Sequence, residues 1–192
     1  MTALQQQEKG TMNKNLHFMV MRSAFAIRDM LRPRSRILAE VPIMRGSRLL
    51  DYGCGTGSYT MPVAVLVGPE GIVYALDVNP LAIKRVRELA LREGRSNITT
   101  ILSDCDTGLE DNSIDMVLLY DILHAVRDPV CVLNELHRVL KPGGTLSFSD
   151  HHLKNEEILL RVTAGGLFAF EGRGTYTYRF TKSPRAGQST VG

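Results

Sequence analysis

Five aspartates recur at one kind of place in this chain, each at the end of a short apolar run: Asp51, Asp77, Asp104, Asp121 and Asp150. The runs read as parallel strands, and ligands of open α/β sheets bind outside the carboxyl ends of the strands. A rim of carboxylates there accepts hydrogen bonds and attracts cations. It suits a ligand offering ribose hydroxyls, an exocyclic amine, an ammonium and a sulfonium. A pyrophosphate would be repelled by several of these groups. The alternative role of each aspartate is to cap a helix or close a turn, but five in succession favour a shared crevice.

The second constellation is Gly53-Cys-Gly55-Thr-Gly57, directly after the first strand. Glycines let a ligand approach the backbone, and the helix that follows begins with free N–H groups. Strand, glycine loop, helix and an acidic residue closing the next strand, Asp77, come in the order a nucleotide-type cofactor site requires. A third group comprises His124, His151 and His152, with Asp121, beyond the fourth and fifth strands, as candidate proton acceptors. Against this stands the reading of His124 as a loop histidine bonded to backbone. His151 and His152 are adjacent, so on a strand they face opposite ways, and no further ligand at metal spacing accompanies them. No metal site is expected. His17 reads as a surface residue and His137 as structural.

The elements that position these residues alternate between strand and helix. Arg48–Asp51, Ile72–Asp77, Ile98–Ser103, Ile114–Tyr120 and Thr145–Ser149 read as strands. Asn79-Pro80 and Asp128-Pro129 each combine a capping side chain with proline in the first helical position, predicting helices to about Gly94 and to about Leu140. A helix is expected over about Glu156 to Ala164. Leu167–Phe170 and Thr175–Thr181 then form a hairpin around Glu171-Gly-Arg-Gly174. The fold class is α/β: a doubly wound, mostly parallel seven-stranded sheet with a C-terminal antiparallel hairpin. Only nine residues, Cys105 to Ser113, cross from the third strand to the fourth. They reach roughly 30 Å when extended, enough to pass three strand spacings of about 15 Å in all.

The expected domain organisation is a disordered segment over residues 1–12, a single domain over 13–182 and a flexible tail over 183–192. Within the domain, helices over 13–44 would cover the substrate side. The 192 residues are 44% hydrophobic and 22% charged, with net charge +3, an ordinary balance for a globular chain. That charge is too small to imply nucleic acid by itself. Arg22, Arg28, Arg32, Arg34 and Arg36 gather near the N-terminal helix, where a solvated face is the default and RNA phosphate a minor alternative. The three cysteines are an odd number with no Cys-x-x-Cys pair, so no disulfide framework is read from them and a reducing compartment is expected. The N-terminus lacks the pattern of a signal peptide, and no run is long enough to span a bilayer. A cytoplasmic location follows as an expectation.

Leu49 to Tyr59, LLDYGCGTGSY, resembles the first motif of class I S-adenosylmethionine-dependent methyltransferases, and Val73 to Pro80, VYALDVNP, resembles their second. Ser113 to Pro129 and Glu135 to Asp150 are similar to later motifs of the subgroup containing quinone-biosynthetic methyltransferases. The resemblance implies that Asp51, Gly53, Gly55 and Gly57 frame the methionyl and ribose part of S-adenosylmethionine. Asp77 would accept the ribose hydroxyls, Val78 would lie against the adenine and Asp104 would accept its amine. Cys105 would offer a backbone N–H, and Tyr120 would lie near the sulfonium. Tyr52 stands where the family often has a smaller aliphatic residue, and a long insertion after the fifth strand is missing. The implied reaction is in-line methyl transfer to a small-molecule acceptor, releasing S-adenosylhomocysteine. Two rivals are carried: an NAD(P)-dependent oxidoreductase, which lacks a Tyr-x-x-x-Lys pair here, and a non-catalytic scaffold that keeps the cofactor fold.

Overall fold

A computed structural model describes residues 34–184. Residues 1–12, the part of the expected 13–44 helical segment up to residue 33, and the tail from residue 185 lie outside the described residues. The chain divides into two units, residues 1–37 and 38–192. Helix α1, Arg34–Ala39, runs across the division.

In the second unit, four parallel strands come first: β1 (Arg48–Tyr52), β2 (Ile72–Asp77), β3 (Ile98–Leu102) and β4 (Ile114–Tyr120). β5 (Leu140–Ser149) joins them in parallel, and β6 (Phe168–Arg173) and β7 (Tyr178–Lys182) close the sheet antiparallel. The spatial order is β3-β2-β1-β4-β5-β7-β6. Consecutive residues along β1, β2 and β4, such as Leu49 and Leu50 or Val117, Leu118 and Leu119, are fully or almost fully buried. Alternation is absent because helices cover both faces of a parallel sheet. Those helices are α2 (Thr60–Val67), α3 (Pro80–Arg92), α4 (Pro129–Val139) and α5 (Asn155–Thr163).

The two Pro-started helices begin where their caps dictate. The Asn79 side chain accepts the Leu81 N–H at 2.9 Å and the Asp128 carboxylate accepts the Cys131 N–H at 2.9 Å. Each satisfies a donor that the first helical turn leaves without an intrahelical partner. No helix interrupts the passage from β3 to β4, in keeping with its length.

Three expectations are corrected. β5 begins at Leu140, so Lys141-Pro-Gly-Gly144 belongs to the strand. A register shift between Ile114 and Met116 on β4 absorbs the irregular stretch. The hairpin turn lies later than expected, because Glu171, Gly172 and Arg173 complete β6. Its turn is organised by Glu40, whose carboxylate accepts the N–H groups of Thr175, Tyr176 and Thr177 at 2.9 to 3.2 Å. A partner 135 residues away leaves no local trace in the turn sequence. Finally, Cys105 and Cys131 form a disulfide, with Cα atoms 6.3 Å apart. The sequence offered no disulfide framework, and this pair is the correction to that reading. The two cysteines are 26 residues apart, and only the fold brings the segment after β3 to the first turn of α4. Among the described residues, no helix is long and apolar enough to cross a membrane.

Candidate functional site

A cavity of about 480 Å³ opens beyond the carboxyl ends of β1, β2 and β3. Its size falls within the usual range for a small-molecule site. Gly53, Asp77, Val78, Asp104 and Cys105 all line it, five of the positions singled out in the sequence. The floor is the glycine loop. Gly53 has φ +81°, and a Cβ built there would lie 3.0 Å from the Ile122 side chain. The left-handed backbone favours glycine, and a side chain there would also have to displace Ile122 by a few tenths of an ångström. The Gly53 and Cys54 N–H groups donate to the Leu76 carbonyl at 2.8 and 2.9 Å, which folds the loop back against β2.

Asp77 closes β2 and ties the rim together. One carboxylate oxygen accepts the Gly55 N–H at 2.9 Å and the other the Asn79 N–H at 2.8 Å. Burial pushes its carboxyl above the ordinary value despite these bonds. Each oxygen still has acceptor capacity toward the cavity. Val78 is exposed on the same wall. The Asp104 carbonyl receives the Tyr52 hydroxyl at 2.7 Å, so the tyrosine that departs from the family pattern anchors the segment after β3. The Cys105 N–H, expected to be offered to a ligand, donates to Ser103 Oγ at 3.3 Å.

Asp51 is the penultimate residue of β1 and is buried beneath the loop, where it accepts the Thr60 hydroxyl at 2.6 Å. Burial raises its carboxyl to about 6; the Thr60 bond opposes this rise and the neighbouring Asp77 adds to it. Gly55 enters through its bond to Asp77. Gly57 turns the loop into α2, with its N–H on the Cys54 carbonyl at 2.9 Å. Tyr120, the last residue of β4, is buried, with its hydroxyl 2.7 Å from Ser147 Oγ and its ring 4.9 Å from that of Tyr59. Burial holds that phenol far above its ordinary value.

The histidines form a separate constellation. His124 Nδ1 lies 2.9 and 3.0 Å from the two oxygens of Asp150, which also accepts the His124 N–H at 3.2 Å and the His152 N–H at 3.0 Å. His151 Nδ1 lies 2.6 Å from Asp121. The pairing is crossed, because each histidine takes the aspartate that ends the neighbouring strand. The His152 ring stands between them, with centroids 4.0 Å from His124 and 3.8 Å from His151. Asp121 adopts φ +53°, a conformation that aspartate tolerates better than most residues. Sequence reasoning named His124, His151 and Asp121 but not Asp150 as a histidine partner. It also missed Ile122 and Arg127 as cavity residues. The one available signal was Gly53, whose missing side chain implies that something packs closely there.

Comparison with known proteins decides the family. A family model described as a methyltransferase domain matches residues 43–166, which is most of the chain. The chain belongs to the methyltransferase-domain family. It is 35% identical over 133 residues to a demethylmenaquinone methyltransferase of Geobacillus stearothermophilus, an alignment covering 69% of this chain and 57% of the relative. A demethylmenaquinone methyltransferase of Staphylococcus carnosus is 36% identical over 112 residues, covering 58% of this chain and 46% of that protein. The chain thus spans about half the length of the curated relatives it matches. A crystal structure of a SAM-dependent methyltransferase from Aquifex aeolicus superposes with a TM-score of 0.70 at 25% identity, covering 81% of this chain and 91% of that one. This membership identifies a class I methyltransferase fold with S-adenosylmethionine as its cofactor. The comparisons lend no support to the nicotinamide-dependent reading.

The residues present fit that cofactor. Asp77 and Asp104 offer carboxylate oxygens of the kind hydroxyls and an amine would need, Leu76, Val78 and Val126 supply apolar walls, and Gly53 leaves the floor without a side chain.

Proposed function

We propose that this chain transfers the methyl group of S-adenosylmethionine to a small acceptor of the quinol type. The observation that carries the cofactor's placement is the Asp77 carboxylate, held by the Gly55 and Asn79 N–H groups at the rim of the cavity. The demethylmenaquinone methyltransferases among the relatives support the acceptor class.

In this reading Asp77 takes the ribose hydroxyls, Val78 lies along the purine and Asp104 takes its amine. Gly53, Gly55 and Gly57 carry the methionyl part over Asp51, and Tyr120 packs behind the reacting centre. Bound S-adenosylmethionine supplies an electrophilic methyl on a cationic sulfur that leaves as a neutral thioether. A quinol becomes a strong carbon nucleophile when it loses a hydroxyl proton, so the protein needs a proton acceptor as well as a positioned cofactor.

His124 is that acceptor. The Asp150 carboxylate can only accept, so Nδ1 carries the hydrogen and Nε2 presents its lone pair. The forming carbon–carbon bond replaces the sulfur–methyl bond, and His124 Nε2 takes the quinol hydroxyl proton. Once the ring carbon carries the methyl, that carbon loses its own hydrogen as a proton and the oxygen recovers a proton from His124, so one proton leaves per turnover. His151, held by Asp121, is the alternative acceptor on the adjoining strand.

The test supplies the full-length protein with S-adenosylmethionine and a short-chain demethylated quinol kept reduced. S-adenosylhomocysteine and the methylated ring are then followed by mass spectrometry. Turnover of both in equal amounts supports the proposal. S-adenosylhomocysteine formation with amine or thiol acceptors, and none with quinols, would sink the acceptor assignment while keeping the methyltransferase.

A further inference from the structure

One wall of the cofactor cavity is closed by a bond that ordinary thiol chemistry can open. Cys105 and Cys131 both line the cavity and are joined to each other. Cys105 directly follows Asp104, and Cys131 is the third residue of α4, its N–H capped by Asp128. The sulfur bridge therefore ties the Asp104 segment to the start of α4 across the cavity wall. Cys131 is exposed and Cys105 half-buried, so a reagent can reach the bridge. Cys54 offers a contrast within the same chain: it is a free thiol, buried within the glycine loop itself.

The surrounding bonds confine what reduction would release. β3 ends at Leu102. Beyond the bridge, Thr107 is anchored to α4, with its N–H donating to Glu135 at 2.9 Å and its hydroxyl bonded to the same oxygen. Only residues 103–106 lie between these two fixed points, and they carry Asp104 and Cys105. The restraints left on that segment would be the Ser103 N–H on the Asp77 carbonyl at 3.2 Å, the Tyr52 hydroxyl on the Asp104 carbonyl and the Gly108 N–H on Asp106, none of which ties Cys105 to α4. Opening the bridge thus loosens the adenine side of the cavity while the sheet and α4 stay in place.

We propose that Cys105–Cys131 is a reversible thiol–disulfide site that sets the affinity of the cavity for its adenosine-containing cofactor, tighter when bonded and weaker when reduced by a dithiol. The exchange is balanced. One thiolate of the dithiol attacks Cys105 Sγ and expels the Cys131 thiolate, which lies in the first turn of an 11-residue helix where an anion is favoured. The second thiolate of the dithiol attacks its own half of the mixed disulfide and expels Cys105. Two electrons and two protons move to the protein, and the dithiol leaves as a disulfide. A binding segment that must be ordered at the moment of binding costs affinity, which sets the direction of the effect.

The inference rests on the assignment of this cavity to the cofactor, and its test separates the two. Full-length protein is first oxidised with glutathione disulfide, and its thiols are counted after denaturation. One free thiol is expected, from Cys54, and three would overturn the proposal. S-adenosylhomocysteine is then titrated calorimetrically into the oxidised protein, the same protein reduced with dithiothreitol, and the oxidised C105S/C131S double variant. The reduced protein and the double variant should each bind at least about fivefold more weakly than the oxidised protein, the lower end of usual coupling between sites. The double variant should not respond to dithiothreitol. Equal affinity in the oxidised and reduced wild type overturns the redox proposal and leaves the cofactor assignment standing. Absence of binding in every form brings down both. Reduced wild type keeps the native sequence, so the outcome does not depend on how the double variant folds.

Discussion

Asp77 and Asp150 sit at the carboxyl ends of β2 and β5 in one sheet, yet their surroundings give them different work. Asp77 binds two backbone N–H groups, from the glycine loop and from the start of α3, and keeps a face on the cavity. Asp150 has a fully buried side chain that gathers His124 and His152 from both sides of a strand end. The first carboxylate shapes a place for a ligand, whereas the second shapes the behaviour of an imidazole. Residue type and strand position are alike. The difference lies in the neighbours: a glycine loop offers N–H groups beside β2, and histidine-bearing turns face each other across β4 and β5. In the proposed reading the acidic rim is therefore two half-sites, one for cofactor recognition and one for handling a proton.

That division can be broken on the proton side. His124→Ala should lower turnover by about 10²- to 10⁴-fold, the usual contribution of a positioned acid or base. S-adenosylhomocysteine affinity should stay within about twofold, well inside 1 kcal/mol. Asp150→Asn should follow it in part, because an amide holds the ring without the charge. Steady-state kinetics beside calorimetric titration reads both quantities. An affinity loss as large as the rate loss would merge the two half-sites into one.

On the cofactor side, Asp77→Ala should weaken S-adenosylhomocysteine binding by roughly 100-fold, the equivalent of one or two charge-assisted hydrogen bonds. The far-ultraviolet spectrum should be unchanged, because the backbone groups that Asp77 binds lie at the solvent-facing rim. Retained affinity would remove Asp77 from the ribose and leave it a loop clasp.

How much of this arrangement was legible depends on the range over which each signal acts. Asn79-Pro80 and Asp128-Pro129 marked their helices to within a residue or two, because cap, proline and first turn are contiguous. The apolar runs of β1, β2 and β4 were equally clear, since burial on both faces leaves a nearly unbroken apolar stretch. The hairpin turn was misplaced because Glu40 organises it from 135 residues away. The disulfide was missed because it joins two segments that meet only once the sheet is formed. The rim aspartates were visible as a set, but the crossed pairing of His124 with Asp150 and His151 with Asp121 was not. It depends on the left-handed turn at Asp121, which the tetrad Asp121-Ile-Leu-His124 does not announce.

Two other carboxylates carry the comparison into pH dependence, with opposite signs. Asp51 is raised by burial to about 6 from an ordinary 3.8, so the folded state prefers it protonated. Its contribution is fully favourable below the unfolded value and is lost as pH rises through about 6. At neutral pH the buried charge costs the fold on the order of 3 kcal/mol, since each tenfold change in proton affinity is worth about 1.4 kcal/mol. Asp51→Asn, which keeps an oxygen for Thr60, should recover about half of that at pH 7.5 and nothing near pH 4. Urea unfolding of wild type and variant across that range gives the difference. A constant difference would mean that Asp51 is ionised at no such cost, with water reaching it beneath the loop.

Glu40 is the smaller and opposite case. Burial acts to raise its carboxyl, but the N–H groups of Tyr176, Thr177 and Thr175 and the Thr177 hydroxyl win and hold it below the usual 4.5. The folded state therefore prefers it ionised. Its contribution is present above about 4.5 and fades as pH falls through the lowered folded value. Glu40→Gln should cost about 1 kcal/mol at pH 7, the difference between charged and neutral acceptors for backbone donors. The gap between variant and wild type should close as the pH drops below 4. The hairpin amides of residues 175–177 should lose hydrogen-exchange protection first, because they are the groups left with a weaker partner. Protection lost evenly over the sheet would instead make Glu40 a support for the whole fold.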